Sequence, residues 1–94
     1  MNQYISIMDT RDLILQEAEA VTNLLLLKNE AYGDSALKPA GIFASGDAVD
    51  NLCCRIDDKI MRIKMRGITD ETEDTVQDLI GYLILLKVAL RQKK

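Results

Sequence analysis

The chain has 94 residues, 48% of them apolar but with only three Tyr, one Phe and no Trp, so it holds one domain at most, with an aliphatic core of the kind packed helices use. A net charge of −3 offers no basic field to collect nucleic acid through its phosphates, which argues against duplex binding. The absence of histidine removes His-based acid–base catalysis, the Cys–His nucleophile and nearly every zinc site, leaving carboxylates, Lys, Tyr or a hard metal for any chemistry.

Met1 to Met8 lacks a basic region followed by a long apolar core, so no signal peptide is expected. The first helix is predicted over about 10–32, with Asp9 or Thr10 as N-cap, Leu13, Ala20, Leu24 and Leu27 on its apolar side, and Gly33 as its stop. Residues 33–46 carry the only Pro and three of the five Gly and are expected to form a loop, with a short apolar plug at Ile42-Phe43. A loop of that length in so small a domain is usually functional.

A second helix is predicted over about 47–66, starting at Ser45 or Asp47 and closed by Gly67, with Val49, Leu52, Cys53, Ile56, Ile60 and Ile63 as its apolar stripe and Arg55, Asp58 and Arg62 opposite. Cys53 and Cys54 are adjacent; on a helix they point about 100° apart and do not pair, which fits a reduced compartment. The third helix, about 70–92, opens on the acidic turn Asp70-Glu71-Thr72-Glu73-Asp74, which suits the positive end of the helix dipole, and closes on basic residues. From Leu79 to Leu90 it is apolar almost all round, yet far shorter than the roughly 20 residues that cross a bilayer. Three helices cannot bury all of that surface, so the expected fold is an all-α bundle of three main helices per chain, completed as a homodimer or homotetramer.

Three polar clusters stand out. Lys28, Asn29, Glu30, Tyr32, Asp34 and Ser35 crowd the first helix end, where simple loop closure needs Gly33 alone, and such a set held by a rigid helix end suits a ligand. Around Asp58 lie Arg55, Lys59 and Arg62, which an exposed face of i,i+3 and i,i+4 ion pairs would also explain. On the third helix Glu71, Asp74 and Asp78 share a face, where a Mg²⁺ or Mn²⁺ would offset their repulsion; helix dipole and solubility also account for the first two. Asp78 is the last polar residue before the apolar run, with Tyr82 one turn on, and a carboxylate at the mouth of a core needs a partner.

In order, Leu-Leu-x-x-Lys-Asn-x-x-Tyr-Gly-Asp-Ser, then Arg55-Ile56-Asp57-Asp58-Lys59-Ile60-Met61-Arg62-Ile63, then Glu73 to Leu83 resemble the nucleotide modification associated domain found largely in phage genomes, over roughly Leu24 to Leu90. That domain is similar to the MazG-like all-α nucleoside triphosphate pyrophosphohydrolases. Asp78 and Tyr82 match the Asp-x-x-x-Tyr portion of the MazG-type final helix motif. Thr75 stands where those enzymes carry Glu, with Asp74 the nearest acid, and of the Glu-Glu-x-x-Glu element only Asp57 and Asp58 are in reach.

The resemblance implies a helical bundle that binds Mg²⁺ or Mn²⁺ through carboxylates and cleaves a nucleoside triphosphate to the monophosphate and pyrophosphate. Asp58, Asp74 and Asp78 would hold the metal, with Glu73 or Asp34 as general base. Lys28, Arg55, Lys59 and Arg62 would neutralise the phosphates, and Asn29, Tyr32, Ser35 and Tyr82 would complete the substrate site. The expected setting is the cytoplasm, that of the host cell if a phage encodes the chain. Two other readings remain open from the residues: a nucleotide-binding module or sponge that lacks the chemistry, and a structural or regulatory helical oligomer with Asp78 salt-bridged.

Overall fold

A computed structural model describes residues 8–38, 46–69 and 73–93, with the side chains of 73 and 74 outside that description. The expected plug at Ile42-Phe43 and the turn residues Asp70, Glu71 and Thr72 also lie outside it. Among the described residues there are three helices and no strand: α1 (Thr10–Tyr32), α2 (Ala48–Arg66) and α3 (Glu73–Gln92).

Local chemistry sets the helix ends. Asp9 caps α1 by accepting the Asp12 N–H at 2.9 Å, and Asp47 caps α2 by accepting the Asp50 N–H at 2.9 Å, each satisfying a donor that the first helical turn leaves orphaned. Gly33 and Gly67 follow α1 and α2 at φ 64° and 75°, values costly for a residue with a Cβ. The Gly67 N–H closes α2 by donating to the Ile63 carbonyl at 2.7 Å.

The helices α2 and α3 pack along one another, while α1 packs on α3 alone. The α2–α3 pair is antiparallel: stepping from Arg55 to Lys59 on α2 corresponds to stepping back from Tyr82 to Asp78 on α3. At the far end Lys93 reaches Asp47 at 3.7 Å. The seam on α2 is Val49, Leu52, Ile56, Lys59 and Ile63, spaced alternately three and four residues; Thr75, Asp78, Tyr82, Leu85 and Ala89 repeat that spacing on α3. Both seams are apolar except at their facing polar members, Lys59 and Asp78, and at the buried Thr75.

Two expected stripes are corrected. On α2, Cys53 and Ile60 are exposed, and Lys59 takes the seam position between Ile56 and Ile63. A lysine enters a seam when its stem lies along apolar surface and its head finds an acid, and hydropathy counting does not register that combination. On α1, Leu13, Ala20 and Leu27 are exposed; Val21 is the buried residue, and only Leu24 of the expected set is half-buried, beside Leu25. The reason is the crossing point: α1 meets α3 where Gly81 lacks a side chain, and a Cβ there would sit 3.3 Å from Leu25 Cδ2. Leu25, not Leu24 or Leu27, fills that notch.

Among the described residues the buried apolar set is small: Val21, Leu52, Ile56 and Ala89. Leu26 and Leu27 on α1 are 64% and 63% exposed, and Ile60, Met61 and Met65 on α2 and Ile80, Leu83 and Ile84 on α3 are exposed as well. No helix among the described residues is long and apolar enough to cross a membrane.

Candidate functional site

The crossing of α1 over α3 leaves a groove of about 320 Å³ between the C-terminal half of α1, the turn that follows it, the middle of α3 and one residue of α2. Its apolar floor comes from Val21, Leu24 and Leu25 of α1 and Gly81 and Leu85 of α3. Lys28, Asn29 and Tyr32 line it from α1, Asp34 and Ser35 from the turn, Gln77, Asp78 and Tyr82 from α3, and Arg55 from α2. An apolar floor with a few convergent polar groups is the usual form of a small-ligand site, and the volume lies at the lower end of that class.

The turn is built by its own polar residues. Asn29 donates from Nδ2 to the Gly33 carbonyl at 3.2 Å and to Asp34 Oδ1 at 2.8 Å. The Asp34 carbonyl in turn accepts the N–H groups of Leu37 and Lys38 at 2.8 and 2.7 Å. Part of the cluster is therefore structural: Asn29 and Asp34 hold the chain as it leaves α1, and their hydrogen-bonding capacity is partly spent on each other. Lys28 and Tyr32 carry no such duty, and Tyr32 presents a ring that is 72% exposed.

The inner wall rests on two cross-helix contacts. Lys59 donates from Nζ to Asp78 Oδ2 at 3.0 Å, with Lys59 13% and Asp78 33% exposed. One turn along, the Arg55 guanidinium lies over the Tyr82 ring at 5.8 Å from its centroid, within cation–π range. Arg55 was expected opposite the apolar stripe; it instead flanks the seam, because α3 runs close enough for Tyr82 to receive it.

Charge in the groove is distributed unequally. Each acid that lines the groove has a cation of its own: Asp34 has Lys38 at 3.7 Å, and Asp78 has Lys59. Neither lining cation, Lys28 nor Arg55, has an acid within 4 Å among the described residues. The wall is thus internally neutralised at its carboxylates and left positive at two side chains.

Of the residues singled out from sequence, the groove gathers Lys28, Asn29, Tyr32, Asp34, Ser35, Arg55, Asp78 and Tyr82. It does not gather Asp58 or Arg62, which are exposed on α2, and Lys59 contributes from behind Asp78. Asp58 makes no ion pair among the described residues, so the i,i+3 and i,i+4 pairs open to it are not formed. Glu73 and Asp74 lie in the first turn of α3 with their side chains outside the described residues. Gln77 was not anticipated; its signal was Gly81 one turn later, since an isolated glycine in an apolar helix marks a close approach, and Gln77 shares that face.

The metal that the resemblance implies does not fit the described donors. No group of three His, Cys, Asp or Glu side chains comes together among them, and Lys59 holds one oxygen of Asp78. Mg²⁺ demands near-octahedral oxygen coordination, which one carboxylate already carrying an ammonium group is poorly placed to supply. No known protein family, curated protein or solved structure matches the chain.

Proposed function

We propose that the chain is a nucleotide-binding protein whose groove between α1 and α3 takes a nucleoside polyphosphate. The observation that carries this is the pairing of two cations that meet no acid among the described residues, Lys28 and Arg55, with an exposed aromatic ring, Tyr32, around one apolar floor. Arg55 and Lys28 would meet the phosphates, through a planar fork and a point charge respectively. Tyr32 offers a face for a base, with Ser35 and Gln77 as hydrogen-bonding groups for sugar or base edges. The exposed leucines and isoleucines of α1 and α3 are covered by a second copy of the chain, since two or more helical layers are needed to bury such faces.

Metal-dependent cleavage of a nucleoside triphosphate to the monophosphate and pyrophosphate is the second reading. It is favoured by Asp78, whose carboxylate lines the groove on the helix that also carries Glu73 and Asp74.

The test is a thermal-shift and calorimetric panel of ribo- and deoxynucleotides at fixed protein concentration, with sedimentation to follow self-association. A ligand at 100 times its Kd adds about 2.7 kcal/mol, so a true ligand raises Tm by many degrees in a domain this small. Loss of that shift in Arg55→Gln is expected; a panel with no shift overturns the reading. Pyrophosphate release with Mg²⁺ or Mn²⁺, lost in EDTA and in Asp78→Asn, would replace it with the hydrolase.

A further inference from the structure

We infer that the groove takes its phosphate-bearing ligand as the free anion, without a divalent cation, because Lys59 already holds one oxygen of the carboxylate at which a metal would enter. The inference rests on the nucleotide-binding reading for the identity of the ligand, but its own argument is the charge arrangement. A site that receives a metal–phosphate complex presents carboxylates free to bind the metal. Among the described residues this groove presents the reverse. Asp78 is held by Lys59 at 3.0 Å, Asp34 is held by Asn29 at 2.8 Å with Lys38 at 3.7 Å, and the open charges are Lys28 and Arg55.

Lys59 is not a surface lysine that happens to lie near an acid. It fills a seam position between Ile56 and Ile63, is 13% exposed, and faces Asp78 at the matching seam position of α3. Displacing its head group would strand an ammonium in a mostly apolar seam, so a metal at Asp78 would have to offset that loss as well as its own dehydration. Arg55, one turn from Lys59 on the same flank, rests on Tyr82 and needs no carboxylate to hold it in place. A polyphosphate therefore meets Arg55 held on the Tyr82 ring, and Lys28 lining the groove from α1. Its magnesium complex, which carries less negative charge, meets the same two cations with less attraction.

The experiment is calorimetric titration of the full chain with inorganic tripolyphosphate and with nucleoside triphosphates, each in EDTA and in excess Mg²⁺. Binding in EDTA should be as tight as in Mg²⁺ or tighter, and Arg55→Gln and Lys28→Gln should each weaken it by roughly tenfold, as loss of a charge-assisted contact to phosphate does. Binding that requires Mg²⁺, or that falls tenfold on chelation, overturns the inference while leaving the nucleotide reading standing. Metal-independent binding of tripolyphosphate with no preference for any nucleoside triphosphate sustains the inference and removes the nucleotide. Silence of every ligand in both buffers overturns both. As a direct check, Mn²⁺ titration followed by electron paramagnetic resonance should show no site in the ligand-free protein, and a site abolished by Asp78→Asn would refute the argument.

Discussion

The Lys59–Asp78 pair allows a quantitative test of the seam. At 3.0 Å and an effective dielectric constant of about 20 the gross attraction is about 5.5 kcal/mol, most of which is spent in withdrawing both groups from water. Lys59 is 13% and Asp78 33% exposed, so the pair lies between the surface class, at up to about 1 kcal/mol, and the buried class, at about 3–5 kcal/mol when one partner is removed. Lys59→Met keeps the apolar stem and removes the charge, leaving the carboxylate partly solvated; a loss of about 2 kcal/mol is expected. In a domain of this size that lowers Tm by about 8–16 °C. Asp78→Leu should cost a similar amount, whereas the double variant Lys59→Met/Asp78→Leu should recover most of the loss, because two matched apolar groups leave no stranded charge. Urea denaturation followed by circular dichroism at one protein concentration closes the cycle. If Lys59→Met costs under about 0.5 kcal/mol and the two losses simply add, the pair is a solvated surface contact and the reasoning fails.

Two further perturbations probe the crossing and the cap. Gly81→Ala gains up to about 1 kcal/mol of helix propensity, against a displacement of a few tenths of an ångström at the half-buried Leu25, so it should raise Tm slightly. Gly81→Leu should instead cost about 1–3 kcal/mol by forcing α1 off α3; if both variants behave alike in urea melts, the Leu25–Gly81 contact does not set the crossing. Asp47 has its carboxyl held below the ordinary value of 3.8, first by the backbone N–H of Asp50; desolvation opposes this, and Lys93 lowers it further. A carboxylate with a depressed folded-state value contributes stability above its unfolded value and loses it as pH falls through the folded one. The chain should therefore lose stability as pH falls through the ordinary carboxylate range and below it, and Asp47→Asn, which keeps a capping oxygen, should flatten that loss. Identical pH slopes in the two proteins would remove the role assigned to Asp47.

The helix ends were legible from sequence because caps act over three or four residues: Asp9 and Asp47 reach only as far as the N–H groups of Asp12 and Asp50, and Gly33 and Gly67 relieve strain at their own positions. The crowding of Lys28, Asn29, Tyr32, Asp34 and Ser35 was legible as a candidate site for the same reason: the residues lie together along the chain and the groove receives all five. Composition pointed to an aliphatic core, and the three- and four-residue spacing of its apolar residues pointed to helices.

What needed the tertiary structure was every choice of partner. Hydropathy placed Ile60 and Cys53 in the α2 stripe and left Lys59 outside, yet the seam takes Lys59, because Asp78 stands across from it on a helix 19 residues away in sequence. The apolar face of α1 could not be chosen among Leu24, Leu25, Leu26 and Leu27 until Gly81 supplied the notch that Leu25 enters. Arg55 joined the groove only because Tyr82 lay within reach. Periodicity states which residues share a side of a helix, but the energy of a side depends on the element facing it, and that is a property of the packed chain.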